Sequence, residues 1–336
     1  MRRFFGLIAL TLAVWLGSQN VALPTDDKET PIRQEPIRLE TPTGTLEGTL
    51  DLPQGDGPYP VALLIAGSGP TDRDGNQPAM KNDSLKQLGE GLARKGIAVV
   101  RFDKRGVGKS RSALTREEDL RFDTFVNDAV AWLKLLRGDP RFGKMFVIGH
   151  SEGALIGMLA ARQAGADGLV CISGAGRDAP TVLREQLKGK VSEELYQASD
   201  RILKSLQAGE TVADVPKELM PLYRPSVQPY VISWFKHDPA KIIADLDMPI
   251  LIVQGTTDIQ ISVDDAKRLH QAARNARLVV LEGTNHVLKK VSNPLEQQLA
   301  YLAPKMPIDP RVVDEIAEFL RKPPPEPGQC CSEPRP

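Results

Sequence analysis

The chain is predicted to fold as α/β, with a mostly parallel central sheet, helices on both faces and an inserted helical cap. Three observations predict it. Short apolar runs alternate with amphipathic stretches from Val61 to Ile172 and again from Ile250 to Arg321. That rhythm breaks between Arg177 and Asp247. A sharp strand–turn–helix signal, a serine between glycines, falls at residues 149–153. Strands alternating with helices imply parallel pairing, because each crossover helix must cover one face of the sheet.

Length and composition agree with this class. A chain of 336 residues suits one such core carrying an insertion. Its 41% hydrophobic content is enough for a sizeable core, which excludes global disorder. Lys plus Arg and Asp plus Glu number 43 each, so there is no electrostatic reason to expect a nucleic-acid or anionic-membrane partner.

At the N-terminus, Arg2 and Arg3 precede an apolar run from Phe4 to Gly17. A basic start, a short apolar stretch and a polar exit describe a secretory signal, so residues 1–25 are read as one and export is expected, periplasmic or secreted. An uncleaved signal anchor is the alternative; the run is short for a membrane span, which needs about 20 apolar residues. Residues 26–57 are expected to hold a polar linker, 25–36, then a β-hairpin around Gly44.

The core's first part, 58–176, opens on a continuous apolar run at 61–66, a buried strand. Residues 84–95 carry helical periodicity and 97–102 a second strand. Phe125, Ala129, Trp132, Leu133 and Leu136 share one helical face within 122–136. Strands at 145–148 and 168–172 flank a small-residue helix at 152–163. Residues 177–247 show helical spacing (Val182, Leu183, Leu187; Ile202, Leu203, Leu206) and then a Pro- and aromatic-rich stretch, the expected cap. The second part, 248–322, has strands at 250–253 and 278–281, a helix at 263–273 and a closing helix at 311–321. The tail, 323–336, is Pro-rich and cannot continue that helix.

Three cysteines do not build a disulfide framework. Cys171 sits in an apolar run as a small hydrophobe. Cys330 and Cys331 are neighbours, and a bridge between adjacent cysteines is strained.

The chemistry gathers at Gly149-His150-Ser151-Glu152-Gly153, directly after one strand and directly before a helix. This is the context of a nucleophile elbow. The turn is sharp, so the positions flanking the nucleophile must be small. The helix N-terminus offers amides and a positive dipole end to a developing oxyanion. A serine is a poor nucleophile at neutral pH and needs a base. Of four histidines, His150 should point away from Ser151, His237 lies in the cap and His270 on a charged helix. His286 follows the last strand and is the expected base. The acid should precede the histidine in the chain and hold its tautomer. Asp258, after the penultimate strand, fits; Asp264 and Asp265 read better as first-turn carboxylates of the next helix. Gly67-Ser68-Gly69-Pro70 follows the first long strand and can aim an amide at substrate oxygen. The expected oxyanion donors are the amides of Ser68 and Glu152, with Gly69 the alternative to Ser68. Tyr223, Tyr230, Trp234 and Phe235 could line an apolar substrate site, or pack the cap onto the core.

Two motifs mislead. Gly106-Val107-Gly108-Lys109-Ser110 ends like a phosphate loop, but the glycine required five residues before Gly108 is Asp103. Asp72-Arg73-Asp74-Gly75 resembles the start of a calcium loop, but its sixth position is Gln77 rather than Gly and its twelfth Asp83 rather than Glu. No cofactor, nucleotide or metal is expected; both stretches are read as shaping the rim of the site.

At these residues the chain resembles the α/β-hydrolase superfamily, in particular bacterial serine esterases of the serine-aminopeptidase-like and prolyl-oligopeptidase-like group. Gly67-Ser68-Gly69-Pro70 with Asp72-Arg73-Asp74-Gly75 is similar to that group's oxyanion segment. Arg101-Phe102-Asp103-Lys104-Arg105-Gly106 is similar to its loop after the next strand, and Asp238-Pro239 to the end of its cap. The likeness runs from about residue 58 to 321 and departs at 230–237, where the aromatic cap motif is loose. The resemblance implies the α/β-hydrolase fold and a hydrolase, mostly of carboxylic esters, acting on a small-molecule ester or short peptide through an acyl-enzyme. A serine peptidase or amidase with the same residues is the alternative, and an exported binding protein without turnover a third. Oligomeric state is not legible.

Overall fold

The computed structural model describes residues 30–322; the signal-like segment and the tail with Cys330 and Cys331 lie outside them. The hairpin is β1 (Arg33–Thr41) and β2 (Gly44–Leu52). Then come β3 (Tyr59–Ile65), α1 (Ser84–Arg94), β4 (Ala98–Phe102), α2 (Phe122–Arg137), β5 (Phe142–His150), α3 (Glu152–Ala164) and β6 (Gly168–Ile172). A helical segment follows: α4 (Ala179–Leu187), α5 (Glu193–Gln207), α6 (Met220–Tyr223), α7 (Gln228–Trp234) and α8 (Pro239–Ala244). The chain closes with β7 (Ile250–Gly255), α9 (Val263–Ala272), β8 (Ala276–Leu281), α10 (Pro294–Ala300) and α11 (Pro310–Arg321).

The eight strands form one sheet in the order β1-β2-β4-β3-β5-β6-β7-β8. The two hairpin strands are antiparallel, β2 also to β4, and every other pairing is parallel. Apolar runs become strands here because the sheet buries both of their faces. In β3, Val61, Leu63 and Ile65 enter one core, and Ala62 and Leu64 the other. On the first face α2 lays down Phe122, Phe125, Val126, Ala129, Trp132, Leu133 and Leu136, all buried. Burying each large apolar side chain contributes about 1.5–3 kcal/mol. On the second face α1 and α11 meet, with Leu88, Leu92, Val312 and Ile316 fully buried. Cys171 is buried in β6, where desolvation pushes its thiol up to about 12, so it is inert packing.

The linker reading needs correction. β1 begins at Arg33, so residues 33–36 belong to a strand and not to the linker. Pro36 is tolerated because β1 is an edge strand, where a missing N–H costs nothing. Arg101 of β4, 2% exposed, ties the hairpin to the sheet by hydrogen bonds of 2.6 and 3.2 Å to Asp51 of β2. Helix α10 carries no strong sequence signal, since only Ala300 of it is buried while Leu295 and Leu299 face outward.

The strand order reverses at β3. The chain runs from β3 outward to β4, then returns to place β5 on the other side. In open α/β sheets the crevice beyond the strand ends at such a switch point is where ligands bind. The segments leaving β3 and β5 there are Gly67-Ser68 and Ser151.

Candidate active site

The turn after β5 is as tight as its glycines suggest. A Cβ on Gly149 would lie 2.2 Å from the Gly153 carbonyl oxygen, and one on Gly153 would lie 2.3 Å from that of Ile65. Ser151 between them sits at φ 55°, ψ −123°, a conformation that costs a side-chain-bearing residue about 1–3 kcal/mol. Its own amide is held by the Ile172 carbonyl at 2.9 Å, so neighbouring strands enforce the strain. Helix α3 starts immediately after it. As the first helical residue, Glu152 has an amide without an intrahelical acceptor.

Gly67 packs against this elbow. A Cβ there would stand 3.0 Å from the Ser151 Cβ. Ser68 and Gly69 follow in an exposed turn, Gly69 at φ 71°. The Thr71 hydroxyl braces that turn by donating to the Ser68 carbonyl at 2.7 Å.

His286 and Asp258 are brought together from loops that follow β8 and β7. The His286 Nδ1 lies 2.8 Å from Asp258 Oδ2, and their side chains are 6% and 0% exposed. The other carboxylate oxygen, Oδ1, accepts the amides of Gln260 at 2.8 Å and Ile261 at 3.0 Å. Burial alone would raise this carboxyl, but the facing His286 charge, the ring hydrogen bond and the two amides hold it down at about 2. An ionised carboxylate only accepts, so Nδ1 carries the proton and Nε2 the free lone pair. Gln254 donates to Asp258 Oδ2 at 3.2 Å and to the Ile261 carbonyl at 3.1 Å, which fixes the loop. Gly255 is obligatory, as a Cβ would sit 1.9 Å from the Thr284 carbonyl oxygen.

His150 does not simply point away. Its Nε2 donates to the His286 carbonyl at 2.8 Å, and the two rings lie 4.8 Å apart between centroids. Burial, then the His286 charge, pull its pKa down to about 3, so it is a neutral latch joining the elbow to the histidine loop. Among the described residues the Ser151 hydroxyl makes no hydrogen bond; the elbow is tied to the histidine loop through His150. His270 is exposed on α9. Asp264 and Asp265 lie in the first turn of α9, Asp265 in a capping box with Ser262 and paired to Arg177.

Of the four aromatic residues expected near a substrate, Tyr223 must be withdrawn. It is fully buried, with its hydroxyl 2.9 Å from Ser199, and offers a ligand no surface. Trp234 stacks on Phe122 at 6.3 Å, and Tyr230 lies edge-on to Phe125 at 5.6 Å. Trp234 and Phe235 are half-buried. These rings pack the insert onto α2, and Ser233 Oγ caps that helix by accepting the Phe122 amide at 2.7 Å. Tyr230 donates its hydroxyl to Glu152 Oε1. Lys104, which carries no chemical signal in the sequence, is also buried there.

Both misleading motifs make local hydrogen bonds within the chain. In the stretch at 106–110, the Lys109 amide donates at 2.8 Å to Asp103, a carboxylate of the same chain. Asp72 Oδ1 accepts the amides of Asp74 and Asn76, both at 2.9 Å, and closes its own turn. Among the described residues no group of three or more His, Cys, Asp or Glu is arranged to hold a metal.

Residues 81–290, more than half of the chain, match the family model described as serine aminopeptidase, S33. The chain belongs to that family. A relative by sequence is the esterase EstD of Thermotoga maritima, 30% identical over 285 residues, which cover 82% of this chain and 66% of EstD. Among solved structures, the Pyrococcus furiosus esterase Pf2001 matches with a TM-score of 0.57 at 18% identity, over 90% of this chain and 94% of that one. Est1E from Butyrivibrio proteoclasticus matches with a TM-score of 0.55 at 17% identity, over 85% of this chain and 97% of that one. These two structures bear on the fold alone, which is that of the α/β-hydrolases.

Proposed function

We propose that this S33-family chain is a serine hydrolase cleaving carboxylic esters of small molecules, with Ser151 as nucleophile, His286 as general base and Asp258 as its orienting acid. The observation that carries the reading is the 2.8 Å bond from the His286 ring to a buried, ionised Asp258, beside a serine held at positive φ ahead of a helix. A relative named as an esterase supports the ester as substrate class.

In the proposed reaction Ser151 Oγ attacks the ester carbonyl while its proton passes to His286 Nε2. The amides of Ser68 and Glu152 stabilise the tetrahedral oxyanion. His286 then gives the proton to the departing alcohol, and water repeats the sequence on the acyl-enzyme to release the acid. Asp258 stays ionised and stabilises the imidazolium. Catalytic hydrogen bonds are often incomplete before substrate arrives, so the unbonded Ser151 hydroxyl fits a resting state. The basic and apolar N-terminus supports export as the place of action.

Ser151→Ala should lower turnover of p-nitrophenyl esters by about 10⁶-fold. It should also abolish labelling by a fluorophosphonate. Unchanged turnover would remove the assignment. The family's description, a serine aminopeptidase, favours a second reading in which amides are the substrate. Aminoacyl p-nitroanilides assayed beside the esters separate the two.

A further inference from the structure

The side chains of a buried cluster beside Ser151 take no part in the steps above. Lys104 follows β4, and Glu152 opens α3; their side chains are each 2% exposed, with Nζ 3.5 Å from Oε2. Glu152 Oε1 accepts the hydroxyl of Tyr230 from the helical insert. Lys104 Nζ donates to the Gly67 carbonyl and stands 5.1 Å from the centroid of the Phe125 ring. Burying an ammonium is costly, so the place where it is spent matters. Desolvation favours losing the Lys104 proton, and the Glu152 carboxylate opposes that loss.

The Gly67 carbonyl belongs to the same peptide unit as the Ser68 amide. This unit is trans, and in a planar trans peptide the C=O and N–H point in opposite directions. Whatever grips the carbonyl therefore sets the direction of the amide. On one side the unit is joined to Gly67, the residue type least able to resist a peptide flip.

We propose that Lys104 is a positioning residue that holds the Gly67–Ser68 peptide with its amide aimed at the oxyanion, and that Glu152, itself fixed by Tyr230 of the insert, keeps the ammonium in place. This deepens the reading of Ser151 and rests on it. The lysine never touches substrate; it acts through the peptide it holds.

Lys104→Met should lower kcat on a p-nitrophenyl ester by about 100-fold, the scale of losing one oxyanion donor, with KM nearly unchanged. A trifluoromethyl ketone tests the same geometry without turnover. Ser151 Oγ adds to its carbonyl carbon, the serine proton passes to His286, and the ketone oxygen becomes the oxyanion. Affinity for that ketone should fall by the same factor as kcat, while affinity for the carboxylic acid product should hold. The double variant Lys104→Met/Glu152→Leu replaces the buried pair by apolar side chains, a change that buried ion pairs commonly tolerate, and should show the same loss. Wild-type kcat and ketone affinity in either variant, folded by circular dichroism, would overturn the proposal. Turnover surviving in Ser151→Ala would instead remove the underlying assignment, and the role of Lys104 with it.

Discussion

Two buried acid–base pairs flank Ser151, and they are built differently. At His286–Asp258 the carboxylate receives two amides, a glutamine and the imidazole, and it is ionised throughout the neutral range. All that surrounding structure leaves one ring nitrogen free to take and return a proton. At Lys104–Glu152 the ammonium is held by a backbone carbonyl and the carboxylate by a tyrosine. On the proposed reading, burial of charge serves two ends around one serine, proton transfer in the first pair and orientation in the second.

The comparison breaks most readily at Asp258. In Asp258→Asn the amides of Gln260 and Ile261 still demand an oxygen, so the new NH₂ faces His286 Nδ1. The ring is forced to put its proton on Nε2, where the base is needed. We expect kcat to fall by about 10⁴-fold with stability little changed, the scale found when a triad carboxylate becomes an amide. Steady-state assays with p-nitrophenyl esters measure it; a loss below tenfold would mean that the carboxylate does not set the tautomer.

The same chemical change on the other pair should cost stability. Glu152→Gln leaves the Lys104 charge buried without its counter-ion. Breaking such a pair destabilises by about 3–5 kcal/mol. Urea unfolding of this variant beside Asp258→Asn tests whether the two pairs divide the roles as described; equal stability losses would erase the distinction.

A pH-dependent effect sharpens the line between the two histidines. Folded His150 is held down at about 3 from a reference of 6.5, so between those values only the unfolded chain binds the proton. Its contribution to stability is therefore complete above pH 6.5 and is lost as pH falls toward 3, by about 1.4 kcal/mol per pH unit. His150→Gln should remove that share of the slope between pH 6.5 and 4. Identical slopes in the two proteins would show that His150 charges freely in the folded state.

The fold was largely legible because its signals are local. Buried strands such as Gly168–Ile172 read as unbroken apolar runs, and the elbow glycines announce a turn that no larger residue could make. The candidates Ser151, Asp258 and His286 follow from motif and chain order. What stayed hidden is what depends on distant contacts. A lysine reads as surface, and only the fold shows Lys104 folded inward against Gly67. Tyr223 and Tyr230 look alike as aromatics of the insert, yet one closes on Ser199 within it and the other reaches Glu152 of the core. His150 seemed a bystander because nothing in its neighbourhood names the carbonyl 136 positions away that it holds.

The helical insert leaves the sheet after β6 and rejoins it at β7, and those two strands are neighbours. Topologically the whole of it is an elongated loop. A graft in its place would leave the strand scaffold untouched. One graft condition would travel with it: a phenol must return to the position of Tyr230, or the scaffold's inward-facing glutamate loses its tether to the transplanted piece.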